Sequence, residues 1–308
     1  MRPATALLLA LALVAPACKS EDKPSGSASG KGGAKAPARP QRPLGELFTG
    51  KSPALPGPLG KIKLGMSKAQ LARIAPEFGP YDDVESEEFA GVSFSASVDS
   101  KTGTVESVSV HLPRGEGQKA IAAAWGEPLA AQHRRAPAAF WFTPEQGLRA
   151  RLDDKTLADA SILWFERYLP AKVLLGEGRD AFSFERAPLL GMTPDAVKQA
   201  YPGQVSESGQ LLFIELPPTE VNDRTQIQAS VDGGKVVGFQ LWIGHGGDAK
   251  LRDEIFALFK AKWGEPKEVK EAIGTPSLQF REAPAVKVKD LADQETWFLE
   301  VTPRSVLQ

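Results

Sequence analysis

Leu64-Gly65-Met66-Ser67 recurs in the second half of the chain as Leu190-Gly191-Met192-Thr193, and the register holds beyond it: Leu71 answers to Val197 and Pro76 to Pro202. Further on, Trp125-Gly126-Glu127-Pro128 returns as Trp263-Gly264-Glu265-Pro266, and Trp164-Phe165 with Pro170 returns as Trp297-Phe298 with Pro303. Three signatures in one order mark a duplication. A period of about 130 residues is too long for a solenoid unit and is the size of a small domain.

Each signature has a mechanical reading. Ser67 and Thr193 are N-caps that follow an apolar entry. Ser67 and Gln70 have the spacing of a capping box, and Pro194 stands at the first helical position, where a missing N–H is harmless. Both helices are expected to stop near Pro76 and Pro202. Gly126 and Gly264 read as left-handed residues closing a second helix, with Pro128 and Pro266 preventing its continuation. That helix is clearest in the second copy, where Leu251, Ile255, Leu258, Phe259 and Trp263 share one face. The first copy is Ala-rich, with Ile121 and Trp125.

Strands lie between and after these helices. Val92, Phe94, Ala96 and Val98 alternate with polar residues, and Val105, Val108 and Val110 follow a turn containing Gly103. In the second copy Ile227, Ala229 and Val231 precede Gly233-Gly234, and Val237, Phe239 and Leu241 follow. These are hairpins. After the two WGEP motifs come 139–142, 148–152 and 161–168 in one copy and 278–281, 285–289 and 296–301 in the other. Each copy thus reads α-β-β-α-β-β-β. The expected fold is α+β: two tandem similar domains, 45–172 and 173–308, each with short helices packed on an antiparallel sheet.

The LGM-Ser/Thr helix entry followed by strands, in tandem, resembles the superfamily of the β-lactamase inhibitory protein and the small SmpA/OmlA-type lipoprotein of the outer-membrane assembly machinery. The resemblance covers about 20 residues per copy. It implies short helices against an antiparallel sheet and a role in binding proteins; the WGEP helix and the strands after it exceed the family's pattern, and no binding residue carries over.

The chain opens with Met1-Arg2-Pro3 and an apolar run from Ala6 to Val14. A run of about 10 residues is half the length that spans a bilayer, so residues 1–17 read as a signal peptide. Ala15-Pro16-Ala17-Cys18 resembles a lipobox, with Ala15 where Leu is usual and an atypical Pro16; the same residues also suit ordinary signal peptidase. Cys18 is the one Cys in 308 residues, so no disulfide is available and lipidation gives this thiol a use. Lys19 after it points, by resemblance to lipoprotein sorting, to the outer rather than the inner membrane. Residues 18–44 are poor in large apolar side chains and read as a disordered tether, whose Lys and Arg residues from Lys31 to Arg42 face solvent or anionic headgroups.

Chemistry is sparse. His111, His133 and His245 fall in no metal-ligand spacing, and there is no G-x-S-x-G elbow. No catalytic, cofactor-binding or metal residue is assigned. The Gly244–Asp248 and Leu112–Gly117 stretches read as loops with a capping role, 82–88 as a solvated acidic loop, and 133–135 as a surface charge cluster. Formal net charge is −1, which offers nucleic acid no footprint. Of six Trp, Trp125, Trp263, Trp164 and Trp297 sit in the repeat frame and are expected in cores; Trp141 and Trp242 are left for an exposed surface. The expected function is a non-enzymatic module binding an envelope protein or component, held to a membrane through Cys18. The rivals are a cell-envelope hydrolase and a purely structural lipoprotein. A cleft near His133 or His245 with a carboxylate in hydrogen-bond reach favours the hydrolase.

Overall fold

A computed structural model describes residues 41–78, 83–134, 136–153, 160–176, 183–184, 187–270, 276–282 and 284–302. The expected signal peptide, Cys18 and the expected tether as far as residue 40 lie outside these, as do Asp82, Arg135 and Pro303.

The fold is α+β, with two antiparallel sheets and few, short helices. In the first lobe α1 (Lys68–Ile74) precedes β1 (Val84–Glu85), β2 (Ser93–Val98) and β3 (Val105–Pro113); α2 (Gly117–Trp125) precedes β4 (Leu129–His133), β5 (Ala136–Thr143), β6 (Leu148–Asp153) and β7 (Ala160–Arg167). Their order is β1-β2-β3-β7-β6-β5-β4. A short α3 (Ala171–Leu175) and a minimal hairpin, β8 (Ser183–Phe184) with β9 (Ala187–Pro188), lead to the second lobe. There α4 (Pro194–Ala200) precedes β10 (Val205–Ser208), β11 (Leu211–Leu216), β12 (Thr225–Asp232) and β13 (Lys235–Gly244); α5 (Ala249–Trp263) precedes β14 (Lys267–Val269), β15 (Ser277–Glu282), β16 (Ala285–Leu291) and β17 (Thr296–Thr302). The order is β10-β11-β12-β13-β17-β16-β15-β14. In both sheets the last strand pairs with the hairpin before the second helix.

The repeated motif has a reason beyond capping. Gly65 N–H donates to Val105 O at 2.7 Å and Val105 N–H to Met66 O at 2.8 Å; Gly191 and Met192 make the same two bonds with Val236, each at 2.8 Å. The motif therefore clips the helix entry onto the first residues of β3 and β13. Gly65 and Gly191 have φ of 87° and 82°, a region that favours glycine. The capping box at Ser67 and Gln70 forms in both directions, and Thr193 Oγ1 accepts from Ala196 N–H.

Three expectations about the repeat need correction. Gly126 and Gly264 have the positive φ expected, 86° and 89°, but ψ of −175° and −166°, an extended mirror region open to glycine rather than the left-handed helical one. Each lobe also has strands the alternation did not mark: β4 and β14 directly after the WGEP turns, and β1 or β10–β11 before the hairpin. Most of these run along sheet edges and are short, Ala-rich or charged, so they lack the β-branched pattern. Third, the Trp164/Trp297 match is out of register. With Val105 equivalent to Val236, Val108 answers to Phe239; their partners across the sheet are Phe165 and Val301. Trp164 thus answers to Glu300. It lies on the face opposite Leu163 and Phe165, which are in the first lobe's core, whereas Trp297 is buried in the second. An odd slip turns a strand residue to the other face.

The first core gathers Phe94, Val108, Ile121, Trp125, Trp141 and Phe165; the second gathers Val197, Leu241, Ile255, Phe259, Trp263, Trp297 and Leu299. Trp141, expected at a surface, is buried, and its Nε1–H donates to Gly126 O at 2.8 Å. Arg42, grouped with the tether by composition, is tied by ion pairs to Glu46 and Glu88. The acidic stretch is accordingly more than a loop: Val84–Glu85 pairs with β2, and Glu88 holds Arg42.

Candidate functional site at the seam between the sheets

The second core does not end at its own sheet. Ala131, Ala138 and Phe140 belong to it, although they come from β4 and β5 of the first. Alternation explains this: Ala139 and Trp141 face the first core, so Ala138 and Phe140 face the other way. The glycines after β13 permit the approach. Gly246 has φ +55°, and a Cβ there would stand 2.9 Å from both Ala131 Cβ and Gln132 O; Gln132 N–H donates to Gly246 O at 2.9 Å. The loop does have its expected capping role, since Asp248 Oδ1 accepts from Leu251 N–H at 2.7 Å.

A ribbon of buried charge crosses the same seam. Arg149 on β6 is 1 % exposed. Its Nη1 donates to the carbonyls of Thr219 (2.8 Å), Glu220 (3.1 Å) and Asn222 (2.7 Å), and its Nε and Nη2 reach Glu166 Oε2 at 2.9 and 2.7 Å. Arg151 Nη2 takes the other Glu166 oxygen at 3.1 Å, and its Nη1 reaches Asp153 and His133 Nδ1, the latter at 2.9 Å. Burial pushes the Glu166 carboxyl up, but Arg149 and Arg151 outweigh it and hold the group below its ordinary value. Glu220 is raised by burial, which backbone bonds from Ala171 N–H and from its own N–H, with the nearby Arg149, only partly offset.

His133 was expected in a surface charge cluster and is instead buried. A guanidinium can only donate, so Nδ1 accepts from Arg151 and the ring proton sits on Nε2, donated to Asp223. Burial raises Asp223, but the bonds from His133 and Arg134 prevail and keep it well below the usual carboxylate range. His245 repeats the arrangement: Nδ1 accepts from Gly247 N–H and Nε2 lies 3.3 Å from Asp290 Oδ1. Both histidines therefore have the carboxylate neighbour named above, and both have each ring nitrogen engaged.

Over this ribbon opens a cleft of about 820 Å³, lined by His133, Arg134 and Asp223 from one side of the seam network and by Trp242, Gln294 and Glu295 from β13 and the β16–β17 turn. Arg224 and Asp293 stand at it as well. Trp242, half-buried, lies 5.2 Å from Phe298 on the face of the second sheet away from its core. Among the described residues, two non-glycines have positive φ: Arg134 at 50° and Glu295 at 53°. They come from different lobes and line this one cleft. The turn ending at Glu295 has the same form as the one ending at Gly147: a 3₁₀ turn closed in the left-handed region by an N–H bond to the residue three before, at 3.1 Å in both. One lobe fills that position with the residue that suits it, the other with glutamate.

Among the described residues no group of three or more His, Cys, Asp or Glu could hold a metal ion, and no helix is long and apolar enough to cross a membrane. No protein-family model, curated protein or solved structure matches the chain. A cleft at His133 with a carboxylate in reach is the feature the sequence tied to a hydrolase; that Trp242 and Glu295 line the same cleft had no sequence signal, and Glu295 gave none until its backbone angle was known.

Proposed function

We propose that this chain is an exported protein, anchored in the outer membrane through a lipid on Cys18, that captures a protein or another envelope component in the seam cleft without transforming it. The observation that carries this is the pair of left-handed residues. A non-glycine held there costs on the order of 1–3 kcal/mol, and such conformations cluster where a surface is shaped for a ligand. Trp242 adds a flat apolar face, and Arg224, Asp293 and Glu295 add charges of both signs. The test is capture from envelope extracts by the full mature chain, wild type against Trp242→Ala and Glu295→Ala. A component retained by the wild type and lost from both variants supports the reading. No retained component, or equal retention by all three, overturns it in favour of a structural lipoprotein.

The His133–Asp223 pair favours a second reading, an envelope hydrolase. It requires Arg151 to withdraw from Nδ1, since neither ring nitrogen is otherwise open to take a proton. Mass analysis of peptidoglycan and lipid incubated with wild type and with Asp223→Asn separates the two: a product made by the first and not the second establishes the hydrolase.

A further inference from the structure

A second cavity, about 570 Å³, lies in the first lobe beside the LGM turn. Its polar side chains are Lys63, Arg167 and Gln146; Leu55, Leu64 and Leu148 give it apolar wall, and no acidic residue lines it. Neither Lys63 nor Arg167 has an ion-pair partner among the described residues. The guanidinium of Arg167 rests against the bare Cα of Gly65, where a Cβ would come within 3.2 Å of Nη1. The flanking sequence is one-sided in charge: residues 47–76 hold Lys51, Lys61, Lys63, Lys68 and Arg73 and no Asp or Glu, in a chain whose formal net charge is −1.

Duplication supplies the control. In the second lobe Lys63 is answered by Leu189, just before the matching motif, and Arg167 is answered in the sequence by Pro303, the two standing two residues after the matched Phe165 and Val301. The scaffold therefore needs neither cation, and the two change together. Like charges gathered at one cavity without counter-charge repel, so a ligand that neutralises them gains what the apo protein forgoes.

We infer that this cavity binds a phosphate ester, with Arg167 and Lys63 on the phosphate oxygens and the ester's organic part against the leucine wall. Two cations match the charge of a phosphomonoester, about −1.5 to −2 at neutral pH, better than that of a single carboxylate. A planar guanidinium fits phosphate through two parallel bonds. The phosphate reaches the site either as a soluble metabolite or as a lipid headgroup.

The test uses the mature chain with Cys18→Ser in about 0.15 M salt, where exposed charges are largely screened. Glycerol 3-phosphate by calorimetry and phosphatidylcholine vesicles doped with phosphatidic acid by co-sedimentation are the two arms. Lys63→Gln/Arg167→Gln should weaken binding at least roughly tenfold, the value of losing charge-assisted bonds. The charge-matched Lys61→Gln/Lys68→Gln, off the cavity, should leave it within about twofold. Binding in the first arm assigns a soluble ester, binding in the second alone a headgroup; either supports the inference. It is overturned if neither probe binds, or if both double variants lose affinity equally or not at all.

Discussion

Arg149→Met removes the seam's central donor while keeping its buried stem. Arg149 Nη1 serves three carbonyls of 219–222, and Nε and Nη2 serve Glu166. Met supplies no donor, so three buried acceptors go short and Glu166 keeps only Arg151 of its two cations. Removing one member of a buried ion pair costs about 3–5 kcal/mol, and an unsatisfied buried acceptor about 1–3. These overlap, because Glu166 retains one guanidinium and carbonyls have a second lone pair, so the expected loss is about 3–5 kcal/mol in total. In a unit of this size each kcal/mol moves the melting midpoint by roughly 2–4 °C, giving a fall of about 6–20 °C. Urea unfolding of the mature chain gives the free energy, scanning calorimetry the midpoint. Glu166→Gln alone should also destabilise. The double variant should cost less than the two singles summed, since neither charge is then left without the other. It should still fall short of wild type, because the three carbonyls stay unserved. A loss below about 1 kcal/mol for Arg149→Met would refute the claim that this residue holds the seam.

Other changes follow the same reasoning. Glu166 and Asp223 have folded values held below their unfolded ones, so their contribution is present above the ordinary carboxylate range and lost as pH falls through the folded values; the urea midpoint should drop on acidification, less steeply in Asp223→Asn. Glu220 has the opposite sign: its raised value makes stability full below the unfolded value and lost as pH rises through the folded one, so Glu220→Gln should stabilise near pH 8 and change little near pH 3. Glu295→Gly relieves about 1–2 kcal/mol of left-handed strain against ~0.5–1 kcal/mol of added chain freedom, and should melt no lower than wild type while losing envelope capture. Cys18→Ser should still be exported but partition with soluble protein; retention in the membrane would exclude the lipid anchor.

The elements set by local pattern were legible. Caps at Ser67 and Thr193 formed as their spacing required, and hairpins followed alternation, because a half-buried strand records its burial in every second residue. Edge strands were not legible, since a strand paired on one side can be short, charged or alanine-rich and still form. The seam was hidden for a different reason. Arg149, Arg151 and Asp153 alternate with Leu148, Ala150 and Leu152, which taken alone describes one buried and one wet face. What buries the charged face is a loop some 70 residues away, and nothing in β6 encodes it.

The duplication nevertheless contains a trace of the seam. By strand register Ala150 answers to Val286, so Arg149 answers to Ala285, Arg151 to Lys287 and Glu166 to Thr302. The core-facing positions stay apolar in both copies; Arg151 answers to another cation, Lys287, while Arg149 and Glu166 have no charged counterpart. Two like sheets cannot bury the same face against each other when one docks its edge on the other's core; that contact is heterologous and asks different things of each copy. The residues that diverge together, Arg149 with Glu166 at the seam and Lys63 with Arg167 at the phosphate cavity, mark where each lobe took on work the common scaffold does not require. Transplanting Lys63 and Arg167 to Leu189 and Pro303 would not build a second phosphate site, because Leu189 is fully buried in the second core. The two functions therefore belong to single copies, and a lobe-exchange chimera with two first lobes should keep the phosphate cavity and lose the cleft.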